Sequence, residues 1–172
     1  MNATITSTAH YVPEKVLTNS DLEKLVDTSD EWIKSRVGIN QRHVVSDGEA
    51  SSDMSTKVAH SLLEKRGISA ANIDVIIIGT VTPDHPTPST AAIVQNNINA
   101  ENAWAFDLSA ACSGFLYALE TGAKFIESGQ YKTIMVIGVD TMTSILDFED
   151  RETCIIFGDG AGGVILEASK SN

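Results

Sequence analysis

The sequence has few cysteines and few prolines for its length. It contains 2 cysteines and 4 prolines among 172 residues. Two cysteines do not make the disulfide framework typical of small secreted domains, so a reducing compartment, the cytoplasm, is expected. The N-terminus shows no basic segment followed by an apolar run, which predicts that there is no signal peptide.

Positive charge and long apolar runs are also scarce. The 12 Lys and Arg residues are outnumbered by 23 Asp and Glu, for a formal net charge of −11. This acidity argues against nucleic acid as a partner. The longest apolar stretch, "VIIIG", is too short to cross a membrane. The 4 histidines lack the spacing of metal ligands, so no metal site is expected.

What the sequence does contain is an alternation of β-branched runs and amphipathic segments, in a length that suits one domain. The pattern predicts an α/β fold with a largely parallel central sheet. Strands are expected at residues 2–9, 39–45, 74–81, 103–108 and 132–140, and in "CIIF" and "GGVILEAS". Helices are expected at residues 18–26, 28–38 (with Thr28 and Glu31 as a capping box), 52–66, from Ser89, and from Cys112 to near Gly129.

Cys112 lies where the strand "AWAFDL" gives way to a helix. Backbone N–H groups in the first turn of a helix have no intrahelical partner and the dipole is positive there, so a thiol is pushed towards the nucleophilic thiolate. Its small neighbours leave room for a substrate, and its own N–H is placed to face an oxyanion. The alternative is that Cys112 is a small buried hydrophobic residue, as most free cysteines are. Cys154, in "CIIF", is expected in the core.

The helix after Cys112 is apolar around most of its circumference, interrupted mainly by Glu120, Lys124 and Glu127. A helix of this kind is typically buried. Cys112 is therefore expected deep in the molecule, at the end of a tunnel.

Trp32 and Arg36 are four residues apart on a short predicted helix, and so are neighbours on one face. An indole and a guanidinium together can grip a flat heterocycle and a phosphate. The alternative is a Trp half-buried against the core with a surface Arg beside it. Arg151, taken alone, is typical of a solvated loop charge.

The segment "GDGAGG" (158–163) fits the G-x-G-x-x-G pattern of dinucleotide-binding sites. That site requires a helix after the glycines. Here the glycines lead into "GVILEAS", a strand pattern. A tight backbone passage that another segment approaches closely is the preferred interpretation, and no bound cofactor is expected.

Three stretches together closely resemble one enzyme family: "DTSDEWIKSRVGI", "FDLSAACSGFLYAL" and "IIFGDGAGG". They are similar to β-ketoacyl-acyl carrier protein synthase III, the condensing enzyme that initiates type II fatty acid synthesis. The resemblance implies a thiolase-like fold, in which a five-stranded α/β unit is duplicated and helices are buried between two sheets. This chain would be one such unit, residues 1–172, the N-terminal domain of the enzyme.

The resemblance also implies roles for individual residues. Cys112 would be the nucleophile that takes an acyl group from acyl-CoA. Trp32 and Arg151 would sandwich the adenine of CoA, Arg36 would hold a nearby phosphate, and Thr28 would contact the nucleotide end. Thr87 would border the acyl pocket, partly across the interface of a homodimer. Because Thr87 is smaller than the aromatic residue of some members, primers longer or more branched than acetyl are expected to fit.

Family members carry a catalytic His and Asn in a second half, and no counterpart is found in this sequence. Acylation of Cys112 is therefore expected without condensation onto malonyl-acyl carrier protein, the second substrate. Two further hypotheses remain open. One is a related acyltransferase of secondary metabolism, and the other is a non-catalytic half that acts as an assembly partner for another chain.

Overall fold

Runs of β-branched residues form one five-stranded sheet in the computed structural model, which describes residues 1–169. The spatial order is β1-β7-β6-β4-β5, and β2 and β3 form a separate two-stranded antiparallel sheet. The strands are β1 (Asn2–Tyr11), β2 (Lys15–Thr18), β3 (Gln41–Val44), β4 (Val75–Gly79), β5 (Trp104–Leu108), β6 (Thr133–Thr141) and β7 (Asp159–Ser169). The helices are α1 (Asn19–Leu22), α2 (Asp30–Val37), α3 (Ser51–Arg66), α4 (Thr90–Asn97), α5 (Gly114–Glu127) and α6 (Arg151–Cys154).

The sheet is mixed, as predicted. Strand β4 is parallel to both β5 and β6, whereas β7 is antiparallel to both β6 and β1. Four of the five strands therefore run in one direction, with β7 the exception. The prediction of a largely parallel sheet in an α/β fold is confirmed.

The continuous apolar run of β4 reflects burial on both faces of the sheet. Ile76 and Ile78 pack in the core cluster that includes α3 and α4. Val75 and Ile77 pack in the cluster that includes α5. Since successive side chains of a strand point to opposite faces, a strand covered by helices on both sides needs apolar residues at every position.

A smaller hydrophobic cluster, which we call the α2–α6 corner, joins α1, α2 and α6 through Leu22, Ile33, Cys154 and Ile155. Strand β3 borders this corner, because its buried Arg42 donates to the carbonyl of Ile155. The corner and the sheet are connected by the chain from Ile155 to the start of β7. Residues far apart in sequence are therefore brought to one side of the molecule.

Two local predictions were wrong, and one strand was missed. The capping box lies at Thr18 and Asp21, whereas α2 is capped by Ser29, whose hydroxyl accepts from the N–H of Trp32. The stretch "CIIF" is not a strand, because the Asp150 carboxylate caps a helical turn by accepting from the N–H of Glu152. Strand β2 was not predicted at all, since "KVLT" is too short to show a period.

Candidate active site

Cys112 lies in a single 3₁₀ turn, Ala111–Ser113, that leads directly into α5. The placement of this cysteine at the start of the helix is as predicted. The turn is sharp because Ala111 has a left-handed backbone, with φ of 46°, a conformation that L-residues other than Gly, Asn and Asp rarely adopt. The side chain of Cys112 in this turn is exposed.

The start of α5 is seated on the end of β4 by two glycines. A Cβ placed on Gly79 would lie 2.8 Å from the carbonyl carbon of Gly114 and 3.0 Å from the N–H nitrogen of Phe115. Only a residue without a side chain allows the two backbones to approach this closely. The height of the Cys112 turn above the sheet is therefore set by a backbone contact.

Cys112 lines an open cleft of about 850 Å³ at the carboxyl ends of β4 and β6. Most lining groups are apolar or glycine backbone, and Asp140 is the charged exception. The Oδ1 atom of Asp140 accepts hydrogen bonds from the hydroxyls of Thr80 and Thr82 and from the N–H of Val81. The larger apolar side chains that line the cleft are Val12, Val81, Phe115, Val139, Met142 and Phe157.

The expected depth of Cys112 is not found in the described residues. Only one side of α5 is buried, the side with Gly114, Ala118, Gly122 and Ile126. On the opposite side Leu116 is 61% exposed and Tyr117 is 57% exposed. The apolar circumference of α5 predicts cover on both sides, but residues 1–169 supply only the sheet, so Cys112 faces an open cleft rather than a tunnel.

Trp32 and Arg151 meet at the α2–α6 corner. The guanidinium carbon of Arg151 lies 5.2 Å from the centre of the Trp32 ring, within the range of a cation–π contact. Arg151 also donates from Nη1 to the carbonyl oxygen of Asp27, at 3.0 Å. Both side chains are exposed on their outer side. Arg151 is therefore exposed, but it lies in α6 and not in a loop, and two contacts hold it at this corner.

Thr28 and Arg36 lie on either side of Trp32 along the chain. Within the described residues, the Thr28 hydroxyl oxygen is buried and has no hydrogen-bond partner, which is unusual for a buried polar atom. Arg36 is exposed in the last turn of α2. The structure thus groups Thr28, Trp32 and Arg151 in one region, with Arg36 one turn further along the helix.

Thr87 is separate from the Cys112 cleft in the described residues. It is exposed in the loop between β4 and α4, and it is not among the residues that line the cleft. Its predicted role depends on an interface with a second copy, so it stays a prediction.

Cys154 and the glycine segment have structural roles. Cys154 is fully buried at the end of α6, and burial, assisted by Asp150 and partly offset by Arg42, raises the pKa of its thiol. Residues 159–163 are part of β7 and pair with β1 and β6. No helix opens after the glycines, so the dinucleotide arrangement is excluded here. Gly158 and Gly163 are the close passages, since a Cβ would lie 3.0 Å from Cβ of Arg42 at Gly158 and 2.8 Å from the carbonyl oxygen of Val136 at Gly163.

Sequence reasoning missed Asp140, Met142 and Phe157 in the cleft, and Arg42 at the corner. Asp140 ends a buried strand, which is a usable signal for a residue at the carboxyl edge of a sheet. The sequence offers no comparable signal for the other three.

Comparison with known proteins identifies the family to which this site and fold are similar. Residues 106–172 match the family model for 3-oxoacyl-[acyl-carrier-protein] synthase III. The chain is 62% identical, over 170 residues, to β-ketoacyl-[acyl-carrier-protein] synthase III of Chlorobaculum tepidum, covering 98% of this chain and 52% of that protein. The chain therefore spans about half the length of the curated relatives it matches.

Solved structures agree. The 3-oxoacyl-[acyl-carrier-protein] synthase III of Aquifex aeolicus VF5 superposes with a TM-score of 0.95 at 46% identity, covering 98% of this chain and 55% of that one. The priming β-ketosynthase of the R1128 polyketide pathway has a TM-score of 0.96 at 32% identity, covering 99% and 51%. By sequence and by fold, this chain belongs to the 3-oxoacyl-[acyl-carrier-protein] synthase III family.

Proposed function

We propose that this chain is the N-terminal, acyl-accepting unit of a 3-oxoacyl-[acyl-carrier-protein] synthase III. The observation that carries the proposal is the exposed thiol of Cys112 at the start of α5, beside an apolar cleft of about 850 Å³. Its 62% identity to a curated synthase III adds support. The proposed setting is the cytoplasm, where free thiols stay reduced. No helix among residues 1–169 is both long enough and apolar enough to span a membrane.

The first half-reaction in this proposal is acyl transfer from acyl-CoA, with acetyl-CoA as the simplest donor. The Cys112 sulfur, as thiolate, attacks the thioester carbonyl and forms a tetrahedral intermediate. The C–S bond to CoA then breaks, and CoA leaves as a thiolate that takes up a proton. The product is an acyl-cysteine, the covalent intermediate that divides the overall reaction into two easier steps. CoA is a substrate here, and the proposal requires no bound cofactor or metal.

The nucleotide end of CoA is assigned to the α2–α6 corner. Trp32 and Arg151 contact each other at 5.2 Å, so a flat adenine ring, which can stack on both an indole and a guanidinium, would enter between them as the two planes move apart. Arg36 would meet a phosphate, and the Thr28 hydroxyl, which is buried without a partner in the described residues, would turn outward to contact the nucleotide end. Phe157 connects the two regions, since it follows α6 in sequence and lines the cleft.

The second half-reaction would condense the acyl group with malonyl-acyl carrier protein. Malonyl loses CO₂, and the resulting carbanion attacks the acyl-cysteine carbonyl to give a 3-oxoacyl product and a free thiol. Stabilising that carbanion requires hydrogen-bond donors near Cys112. No histidine lines the Cys112 cleft in the part of the chain that the structure describes. We therefore propose that this chain alone acylates but does not condense, and that the complete enzyme is a homodimer.

Incubation with acetyl-CoA and measurement of the intact mass test the proposal. The wild-type chain should gain the mass of one acetyl group, and Cys112→Ala should gain none. Cys154→Ala is the matched control, because it removes the other thiol from a buried site and should still be acylated once. A chain that stays unmodified, or one acylated at another residue, would contradict the proposal.

Repeating the assay with longer and branched acyl-CoAs tests the proposed role of Thr87, and strict acetyl preference would count against it.

A priming ketosynthase of secondary metabolism is the second candidate, favoured by the R1128 enzyme with its TM-score of 0.96. Its identity of 32% is well below the 62% to the Chlorobaculum synthase III, which places it second. Product analysis of the complete protein, with malonyl-acyl carrier protein against other acceptors, separates the two candidates.

A further inference from the structure

Arg42 is a buried charged residue that the proposed chemistry does not use. It lies on β3, opposite Leu17 of β2, and is only 3% exposed. Burial lowers the pKa of its guanidinium. Desolvating a charge is costly unless it gains specific partners. A buried guanidinium is therefore expected to bind specific acceptors.

The partners of Arg42 come from two separate elements of the α2–α6 corner. Its Nε and Nη2 atoms both donate to the carbonyl oxygen of Ile155, the residue that caps the C-terminal end of α6. Its Nη1 atom donates to Oδ1 of Asn19, which is itself buried. The planar, forked guanidinium suits this arrangement, because it presents several donors at fixed angles.

Asn19 extends the connection to α2. Its amide nitrogen donates to Oδ1 of Asp30, at 2.8 Å, and to the carbonyl oxygen of Ile39, at 2.9 Å. Asp30 is the first residue of α2. One continuous set of hydrogen bonds, Asp30–Asn19–Arg42–Ile155, therefore joins the start of α2 to the end of α6.

These two helices carry Trp32 and Arg151, the residues proposed to hold the nucleotide. Trp32 is two residues after Asp30, and Arg151 is the first residue of α6. Each helix is short, so its position depends on anchoring from outside. A small displacement between groups that grip one ligand lowers affinity strongly, because both stacking contacts depend on the spacing.

Arg42 also contacts the wall of the Cys112 cleft. A Cβ on Gly158 would lie 3.0 Å from Cβ of Arg42, so the two backbones pack closely. Gly158 itself lines the cleft. The same arginine thus contacts both the corner and the segment that leads from the corner to the cleft.

We propose that Arg42 is a positioning residue that sets the spacing of Trp32 and Arg151 for the nucleotide of acyl-CoA. This inference rests on the proposed function, in which that pair holds the adenine. Arg42 does not touch the substrate in this proposal. It acts through Asn19 and Asp30 on α2, and through Ile155 on α6.

Two variants and a matched control test the inference in a Trp104→Phe background, where Trp32 is the single tryptophan. Arg42→Lys keeps the charge but cannot reproduce the forked donors. Asp30→Ala breaks the set of bonds at its half-buried outer end, where folding is least affected. Lys34→Ala is the control, because it removes the surface pair with the other Asp30 oxygen, at 2.7 Å, and leaves the bond to Asn19 intact.

Three measurements are made on each folded variant: the emission of Trp32, the Kd for CoA, and acylation of Cys112 by the N-acetylcysteamine thioester of acetate, which lacks the nucleotide. Arg42→Lys and Asp30→Ala should both change the Trp32 emission and weaken CoA binding about tenfold, the equivalent of about 1.4 kcal/mol. Acylation by the short thioester should be unchanged, because this thioester lacks the nucleotide that the corner is proposed to hold. A general structural defect would slow this acylation as well. Lys34→Ala should match the background protein in all three.

Wild-type emission and CoA affinity in both variants would overturn the inference, and so would a parallel loss of acylation by the short thioester. If Arg42→Lys does not fold, Asp30→Ala against Lys34→Ala decides. Trp32→Ala distinguishes the proposed function of the corner from the positioning role of Arg42. If it leaves CoA affinity unchanged, the proposed function of the corner fails. If it weakens CoA binding while Arg42→Lys and Asp30→Ala do not, only the positioning role fails.

Discussion

At the scale of single residues, the two cysteines have opposite environments. Cys112 is exposed beside the cleft, whereas Cys154 is fully buried in the α2–α6 corner. Burial raises the pKa of the Cys154 thiol, so this thiol stays protonated to a higher pH than an ordinary cysteine. Since only the thiolate is alkylated rapidly, burial and protonation both protect Cys154, and Cys112 is left available.

We therefore expect iodoacetamide at about pH 8, near the ordinary pKa of a thiol, to label the native chain once, at Cys112. Cys154 should react only after unfolding, when burial no longer raises its pKa. Peptide mass mapping with and without denaturant gives the result. Cys112→Ala should take up no label in the native state, and rapid native labelling of Cys154 would contradict the described burial.

At the scale of elements, the position of α5 depends on its backbone contact with β4. Gly79→Ala would place a Cβ 2.8 Å from the carbonyl carbon of Gly114, and a backbone atom cannot turn aside as a side chain can. We expect a loss of about 1–3 kcal/mol in the free energy of unfolding, as for other overpacking substitutions. Acylation of Cys112 should also slow, because the first turn of α5 must move. Denaturant unfolding and timed intact-mass assays measure the two effects.

Gly122→Ala is the control on the same helix. A Cβ there would meet only side chains, the nearest being Cδ1 of Leu166 at 3.1 Å. It lies about three turns from Cys112, so it should lower stability without slowing acylation. Equal slowing by both variants would show that overall stability, and not the position of the Cys112 turn on β4, controls the rate of acylation.

At the scale of the whole molecule, the outer side of α5 is an apolar surface beside an open cleft. Leu116 and Tyr117 are 61% and 57% exposed there. Contiguous apolar surface of this kind promotes association. We expect the isolated chain to self-associate and to bind a hydrophobic dye, and Leu116→Ser to reduce both. Light scattering and dye fluorescence are the measurements.

Leu25→Ser provides the comparison, because Leu25 is 55% exposed but lies between α1 and α2, away from this surface. It should change neither dye binding nor association. A wild-type chain that is monomeric at all concentrations and binds no dye would contradict the expectation. The same surface is where a covering unit of the proposed complete enzyme would pack.

Local patterns predicted most of the secondary structure and failed where side chains decide the backbone. The double-sided burial of β4 and the end of α3 at Gly67 were predictable, since both follow from periodicity and glycine conformation. The helical turn of α6 was not predictable, because the apolar stretch "CIIF", which begins at its last residue, is typical of a strand. Asp150 caps that turn, and Arg42 binds its final carbonyl.

For the candidate site, the sequence alone determined that Cys112 starts a helix after a strand, that α5 presents apolar side chains in most directions, and that β4 and β6 are buried. These properties follow from spacing along the chain. Only the tertiary structure decided that Arg151 lies over Trp32, that Arg42 joins α2 to α6, and that Cys112 faces an open cleft. The reason is physical: periodicity records which side of an element avoids water, whereas the identity of its neighbours depends on packing between segments that are distant in sequence.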